Sequence, residues 1–392
     1  MEQVVTPRPM PSAPAPHPPP PPKSERFSVP AGLYWFVRFV NATAPLFVEL
    51  GQLESKVLKS RMAAIPIDRP IYILGLPRAG TTISAQMLSE HPDVTTHRYS
   101  DFALPYTPWW WNRLFPKLPI KALKSPVERV NRDRLQVTRD SSEGVEEMIW
   151  LRFFHHLHDP SRCNVLDDST LNSGFETFFK DHIRKLLLVR GRSRYVSKNN
   201  PCVTRMRYLR RIFPDARFLL YVRNPIDHAA SVVKQDRLFS DLARDDRRLM
   251  RMNRMSGFHE FGPNYVPVNL GNDALTQDIC RCRDEGRLVR ARALQWASMF
   301  GFVIEQLKHD PELARAVCIV RYEDLCVKPE ETIDRILAHT GLPLDAFAPV
   351  RTKYISKLSL PDYYRPNFSA EERAEIISLT EDVAEHFGYS LV

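Results

Sequence analysis

Several features that would settle a protein's class at once are missing from this sequence. No tract of consecutive lysines and arginines of the nucleic-acid-binding kind stands out, so nucleic acid is not an expected partner. The opening residues lack a basic-then-apolar leader. Cysteine is scarce, six in 392 residues. With no leader ahead of them, Cys163, Cys202, Cys280, Cys282, Cys318 and Cys326 are expected to be free thiols in a reducing, cytoplasmic setting. Cys280-x-Cys282 has no second pair at ligand spacing, and His155, His156 and His158 read as a polar helix end, so no metal site is expected. Long apolar runs are also lacking. Ala31–Leu50 comes nearest, but Arg38, Asn41, Pro45 and Glu49 interrupt it, which predicts a helix on the outside of a domain rather than a membrane span.

What is present is the composition of a large globular protein, 43% hydrophobic and 26% charged. The length suits one big α/β domain with appendages. A net charge of +9 favours polyanionic ligands such as nucleotides or acidic glycans without choosing among them. Ten of the first 22 residues are proline. Residues 1–25 therefore read as a disordered or polyproline II tail, of the sort that an aromatic-lined groove on a partner recognises. Residues 26–68 read as a helical extension and residues 69–392 as the main domain.

The main domain is organised around Ile71–Ser84, I-Y-I-L-G-L-P-R-A-G-T-T-I-S. Four apolar or aromatic residues predict a buried strand, a turn follows on Gly75, Pro77 and Gly80, and a helical pattern starts at Thr81 and Thr82. A strand passing through a glycine turn into a helix N-terminus makes an anion site, because free backbone N–H groups and the positive end of the helix dipole meet there. The spacing is the G-x-x-x-x-G of a nucleotide-triphosphate loop, but Thr81 stands where such a loop has its lysine. The cation is Arg78, two residues before Gly80. That suits an anion already joined to a leaving phosphate, with no metal to anchor.

A second turn of the same kind lies downstream. Arg217–Val222 (R-F-L-L-Y-V) predicts a strand, followed by R-N-P-I-D-H-A-A-S over residues 223–231. Asn224 fits an N-cap, Pro225 a first helical residue, and Asp227 the first turn. Arg223 then sits where strand becomes helix, a permanently charged phosphate ligand, with Ser231 about two turns on as a neutral donor. Arg194–Val196 reads as a strand leading into a polar turn that carries Lys198, and Ala316–Arg321 as a further strand. Helical spacing covers Glu143–His156, Phe175–Val189, Arg287–Leu307, Glu330–His339 and Ala370–His386. The charged run Asp236–Met255 predicts a solvated helix. The aromatic and proline-rich residues 99–116 suit the wall or lid of an acceptor pocket, and residues 256–275 a loop bordering it. Strands alternating with helices imply a parallel sheet covered on both faces.

The two turns together resemble the sulfotransferases that use 3′-phosphoadenosine 5′-phosphosulfate (PAPS), in the bacterial and tyrosyl-protein branch. G-L-P-R-A-G-T-T, residues 75–82, is similar to that family's 5′-phosphosulfate loop. Y-V-R-N-P-I-D-H-A-A-S is similar to its 3′-phosphate motif, with Arg223 and Ser231 at the family's separation. R-Y-E-D-L, residues 321–325, and the turn bearing Lys198 also have family counterparts. The resemblance implies a three-layer, P-loop-like α/β fold with a central parallel sheet, PAPS as co-substrate and no metal. It implies that Pro77, Arg78, Ala79, Gly80, Thr81 and Thr82 hold the 5′-phosphosulfate and that Arg223 and Ser231 hold the 3′-phosphate. Arg78 and Lys198 are then expected to neutralise the leaving oxygen. Family members often carry a glutamate base just after the second strand, and Tyr99 occupies roughly that place here. Asp101 is the nearest carboxylate and the expected base, with His97 second.

The reading is sulfuryl transfer from PAPS to a hydroxyl or amine, the acceptor being a carbohydrate, lipid or small molecule. A P-loop small-molecule kinase is the alternative, and it needs the lysine that Thr81 replaces. A non-catalytic nucleotide-binding scaffold working through its proline tail is the third.

Overall fold

The fold is arranged about its first strand, Ile71–Gly75, which is buried along its whole length. A computed structural model describes residues 28–114, 126–133, 135–360 and 366–391; the tail expected over residues 1–25 lies outside them. The strands among these residues are β1 Ile71–Gly75, β2 Val94–Thr95, β3 Val127–Glu128, β4 Gln136–Val137, β5 Arg194–Lys198, β6 Arg217–Val222 and β7 Val317–Arg321. Five form one sheet in the order β2-β5-β1-β6-β7. Every pairing in it is parallel: Ile71 faces Val196 on one side and Arg217 on the other, Gly75 faces Tyr221, and Val222 faces Arg321. β3 and β4 make a separate antiparallel hairpin.

The two-residue side-chain period of a strand feeds two cores. Tyr72 and Leu74 of β1 join Phe218, Leu220 and Val222 of β6 on one face, under the helices Ser173–Arg190 and Leu288–His309. Ile73 of β1 joins Leu219 and Tyr221 on the other face, under the helices Thr81–Ser89 and Pro329–Thr340. Burial on both faces is why I-Y-I-L and F-L-L-Y-V read as unbroken apolar runs rather than alternating ones. The result is the expected three-layer α/β arrangement.

Sheet order also fixes where a ligand belongs. From β1 the chain turns toward β2 on one edge, and from β5 it crosses past β1 to β6. The carboxyl ends of β5, β1 and β6 therefore flank the reversal point, where open α/β sheets bind their ligands. Lys198, the glycine turn and Arg223 sit at those three ends.

Two predicted helices differ in detail. The outer helix is two, Ala31–Ala42 and Ala44–Val57, because Pro45 is tolerated in a first turn but not in a helix interior. The charged run is not a solvated helix. Helix Pro225–Asp245 ends and Asp246 caps a new one, Arg247–Met255, by accepting from Arg248 N–H. Asp236 within the first is buried on Arg292, whose Nε donates to it at 2.8 Å.

Gly75 is a position that only glycine fits. Its φ is +137°, and a Cβ there would lie 2.4 Å from the Tyr221 carbonyl oxygen on β6. Gly75→Ala should lower the unfolding free energy by about 3 kcal/mol. A urea midpoint equal to wild type would show that β1 and β6 part more easily than their register implies.

Candidate active site

The loop after β1 has two left-handed residues, Arg78 at φ 73° and Gly80 at φ 96°. Left-handed residues in such a turn make successive backbone N–H groups converge on a concavity that suits an anion. Gly80 is the N-cap of the helix Thr81–Ser89, and no side chain caps that end. Its first-turn N–H groups are left for a ligand. A Cβ on Gly80 would come 2.9 Å from the Tyr322 ring, so the loop packs closely on the segment after β7.

The second turn is joined to the first by direct bonds. Arg223 leaves the end of β6, lies with its guanidinium carbon 4.6 Å from the Tyr322 ring centroid, and donates from Nη1 to the Arg78 carbonyl at 3.0 Å. His228 Nε2 donates to the Pro77 carbonyl at 3.0 Å. Burial, aided by the Arg223 charge, pushes the His228 pKa down to about 3, so the ring is a neutral donor at ordinary pH. Ser231 Oγ accepts from Arg78 Nε at 3.2 Å. Asn224 caps the helix Pro225–Asp245 by accepting from Ile226 and Asp227 N–H, and its own N–H donates to Glu323 of the R-Y-E-D-L segment at 3.0 Å. Each turn thus holds the other's backbone in place.

A cleft of about 330 Å³ opens over both turns. Thr81, Thr82, Lys198 and Arg223 line it, as do Pro77, Arg78 and Gly80, with Ala79 buried beneath. Lys198 Nζ pairs with Glu143 Oε1 at 3.1 Å. The approach is close because the next residue is glycine: a Cβ on Gly144 would lie 2.9 Å from the Lys198 carbonyl. Burial alone raises the Glu143 pKa. Lys198, Arg129, the Gly144 N–H and the Tyr99 hydroxyl overcome that and hold it at about 2.

Asp101 and His97, the bases expected from sequence, are engaged with other partners away from the two turns. Asp101 Oδ2 accepts from the Arg98 N–H at 2.8 Å and from Arg190 Nη2 at 2.6 Å, and the residue is only 3% exposed. It caps the short helix Tyr99–Ala103 and neutralises a buried guanidinium. His97 is packed against His182, Nε2 to Nε2 at 2.8 Å, with the Tyr195 hydroxyl 3.2 Å from its Nδ1. Burial pushes its pKa down to about 4. Neither residue lines the cleft. The physical reason is that β2 spans only Val94–Thr95, after which the chain turns onto residues 139–143: Tyr99 N–H donates to Ser141, Ser100 N–H to Arg139, and Glu143 N–H to His97. Glu143, the carboxylate paired with Lys198, is hydrogen-bonded by Tyr99, and like Asp101 and His97 it stands behind the residues that line the cleft. In sequence Glu143 had only the start of a helical pattern to mark it.

The tryptophans of residues 99–116 do not line the cleft either. Trp110 N–H donates to the buried Glu54 at 2.6 Å, and Trp111 Nε1 to the Ser100 carbonyl at 2.7 Å, so the cluster fastens the outer helices to the domain. Residues 115 and 116 lie outside the described set. The loop after Arg247–Met255 does reach the cleft, through Glu260 and Phe261.

A family model described as the sulfotransferase family matches residues 70–261. The fold is similar to a sulfotransferase from Mycobacterium avium, at 12% identity and a TM-score of 0.51, over 86% of this chain and 82% of that one. A sulfotransferase from Mycobacterium tuberculosis aligns over 86% of this chain and 81% of its own at 17% identity, with a TM-score of 0.49. No curated protein matches the chain. At these identities the structural likeness speaks for the fold alone.

Asp101→Asn leaves Arg190 buried without its counter-charge and should cost about 3 kcal/mol of stability. Thermal melts should register that loss, while affinity for adenosine 3′,5′-bisphosphate stays within twofold of wild type. A stable variant with its turnover abolished would return the base role to Asp101.

Proposed function

We propose that this chain is a sulfotransferase, the family whose model matches residues 70–261, and that its cleft holds PAPS across the β1 and β6 turns and passes the sulfuryl group in line to a hydroxyl or amine. The observation that carries the reading is the Arg223–Arg78 contact, which sets a guanidinium beside the glycine loop. A ligand with two separated anionic groups is what two adjoining cationic turns accept. The donor set fits: backbone N–H groups, hydroxyls and guanidinia, with the buried Nε of Arg223 lacking any hydrogen-bond partner among the described residues. ATP has no 3′-phosphate for Arg223 and Ser231, and Thr81 stands in the kinase lysine's place, so nothing favours the kinase alternative.

In this reading Pro77–Thr82 supply the loop for the 5′-phosphosulfate, with Arg78, Thr81 and Thr82 as side-chain ligands. Arg223 and Ser231 take the 3′-phosphate. The donor brings the activated sulfuryl group and the phosphate that departs with the broken S–O bond. Little covalent work falls to the protein, as in phosphoryl transfer, so positioning and charge dominate. Arg78 and Lys198 neutralise charge on the leaving phosphate. Glu143 accepts the proton of the acceptor hydroxyl as its oxygen bonds to sulfur. Lys198 links the two tasks, because a lysine shared with an incoming anion grips Glu143 less and makes the carboxylate more basic. The acceptor is a carbohydrate, lipid or small molecule bearing that hydroxyl. A reducing, cytoplasmic setting is part of the proposal, supported by six cysteines that are all free in the fold.

Arg223→Ala removes a charged phosphate ligand and should weaken adenosine 3′,5′-bisphosphate binding by about 2 kcal/mol. Unchanged calorimetric affinity would move the 3′-phosphate elsewhere. Glu143→Gln should lower kcat at least about 100-fold with nucleotide affinity kept. Since the Glu143 pKa is lowered to about 2, the carboxylate is ionised from about pH 3 upward. The kcat/KM profile of the wild type should therefore show no acid limb from this group between pH 5 and 8, and a limb near 6 that persists unchanged in Glu143→Gln would assign the base to another group.

A further inference from the structure

The hairpin of β3 and β4 puts a carboxylate on the guanidinium assigned to the donor. Asp133 Oδ2 is 2.7 Å from Arg78 Nη1, and Arg129 Nη1 lies 3.6 Å from the same oxygen. The Leu135 N–H donates to Asp133 Oδ1 at 3.4 Å. With its side chain only 5% exposed, the carboxylate meets Arg78 where water and salt screen weakly. The hairpin is itself anchored. Asn131 Nδ2 donates to Gln235 Oε1 at 3.2 Å, and Gln235 Nε2 returns a bond to the Asn131 carbonyl at 3.0 Å. Asp133 is therefore a placed group, not a surface side chain that has drifted inward.

A carboxylate and the oxygens of a phosphosulfate carry charge of one sign and compete for the same guanidinium fork. We infer that Asp133 is an internal competitor for Arg78, so that donor binding exchanges an intramolecular ion pair for an intermolecular one. The inference rests on the donor reading above. Its consequence is a ceiling on affinity for donor and spent nucleotide alike. When the 5′-phosphate leaves, Asp133 takes Arg78 back and the nucleotide loses a ligand. Arg129, close to both Asp133 and Glu143, keeps the displaced carboxylate from standing unpaired.

The test is calorimetry with adenosine 3′,5′-bisphosphate on the full chain, wild type against Asp133→Asn and Asp133→Ala, each first shown folded by its thermal melt. Removing the charge should tighten binding about tenfold in both variants, the scale of one partly screened charge contact. In an Arg78→Ala background the same substitutions should give no gain, since competition needs the contested group. Unchanged or weaker binding in the folded variants overturns the inference and makes Asp133 a brace that positions Arg78. A gain that persists without Arg78 also overturns it, as general electrostatics. If folded wild type and both variants all fail to bind the nucleotide, the donor reading itself falls.

Discussion

The bond from Arg223 to the carbonyl of Arg78 is the constraint on which the rest depends. It ties the turn after β1 to the turn after β6, two strands that the register places side by side. A guanidinium that spends one N–H on a neighbouring loop's carbonyl fixes both its own direction and that loop's curvature. Tyr322 stacked on Arg223, Glu323 receiving the Asn224 N–H and His228 holding the Pro77 carbonyl all serve the same junction. Three separate parts of the chain thus converge to hold the two turns in register.

Electrostatics then divides the cleft into cations with different duties. Arg223 keeps its charge free of any carboxylate contact among the described residues, which suits the phosphate ligand proposed for it. Arg78 and Lys198 each face a carboxylate, Asp133 and Glu143 respectively. Buried charges need partners, and these two pairs let the site hold strongly cationic groups.

Much of this was legible in the sequence, for a definite reason. A strand buried on both faces must be apolar throughout, and a strand-to-helix turn that receives an anion needs glycine, a cap and a cation within a few residues. Such local requirements leave local marks, which is why Ile71–Thr82 and Arg217–Ser231 could be read directly. Glu143 could not, because its place beside Lys198 is set by a return of the chain along residues 97–100, and its only local companion is the small Gly144 that permits the approach. Asp101 shows the complementary limit. It stands at the expected distance along the chain, but a two-residue β2 and the reach of Arg190 turn it into a helix cap. The charged run after Ser231 hid a buried ion pair in the same way, since composition records charge and not the partner that neutralises it.

The central claim is that one ligand with two separated anionic groups spans both turns. Calorimetric titration of the full chain with adenosine 3′,5′-bisphosphate, set against adenosine 5′-monophosphate and ATP with Mg²⁺, tests it most directly. The account predicts clear preference for the bisphosphate, because only it engages Arg223 and the glycine loop together. Equal affinity for the monophosphate, or a preference for ATP, would contradict it.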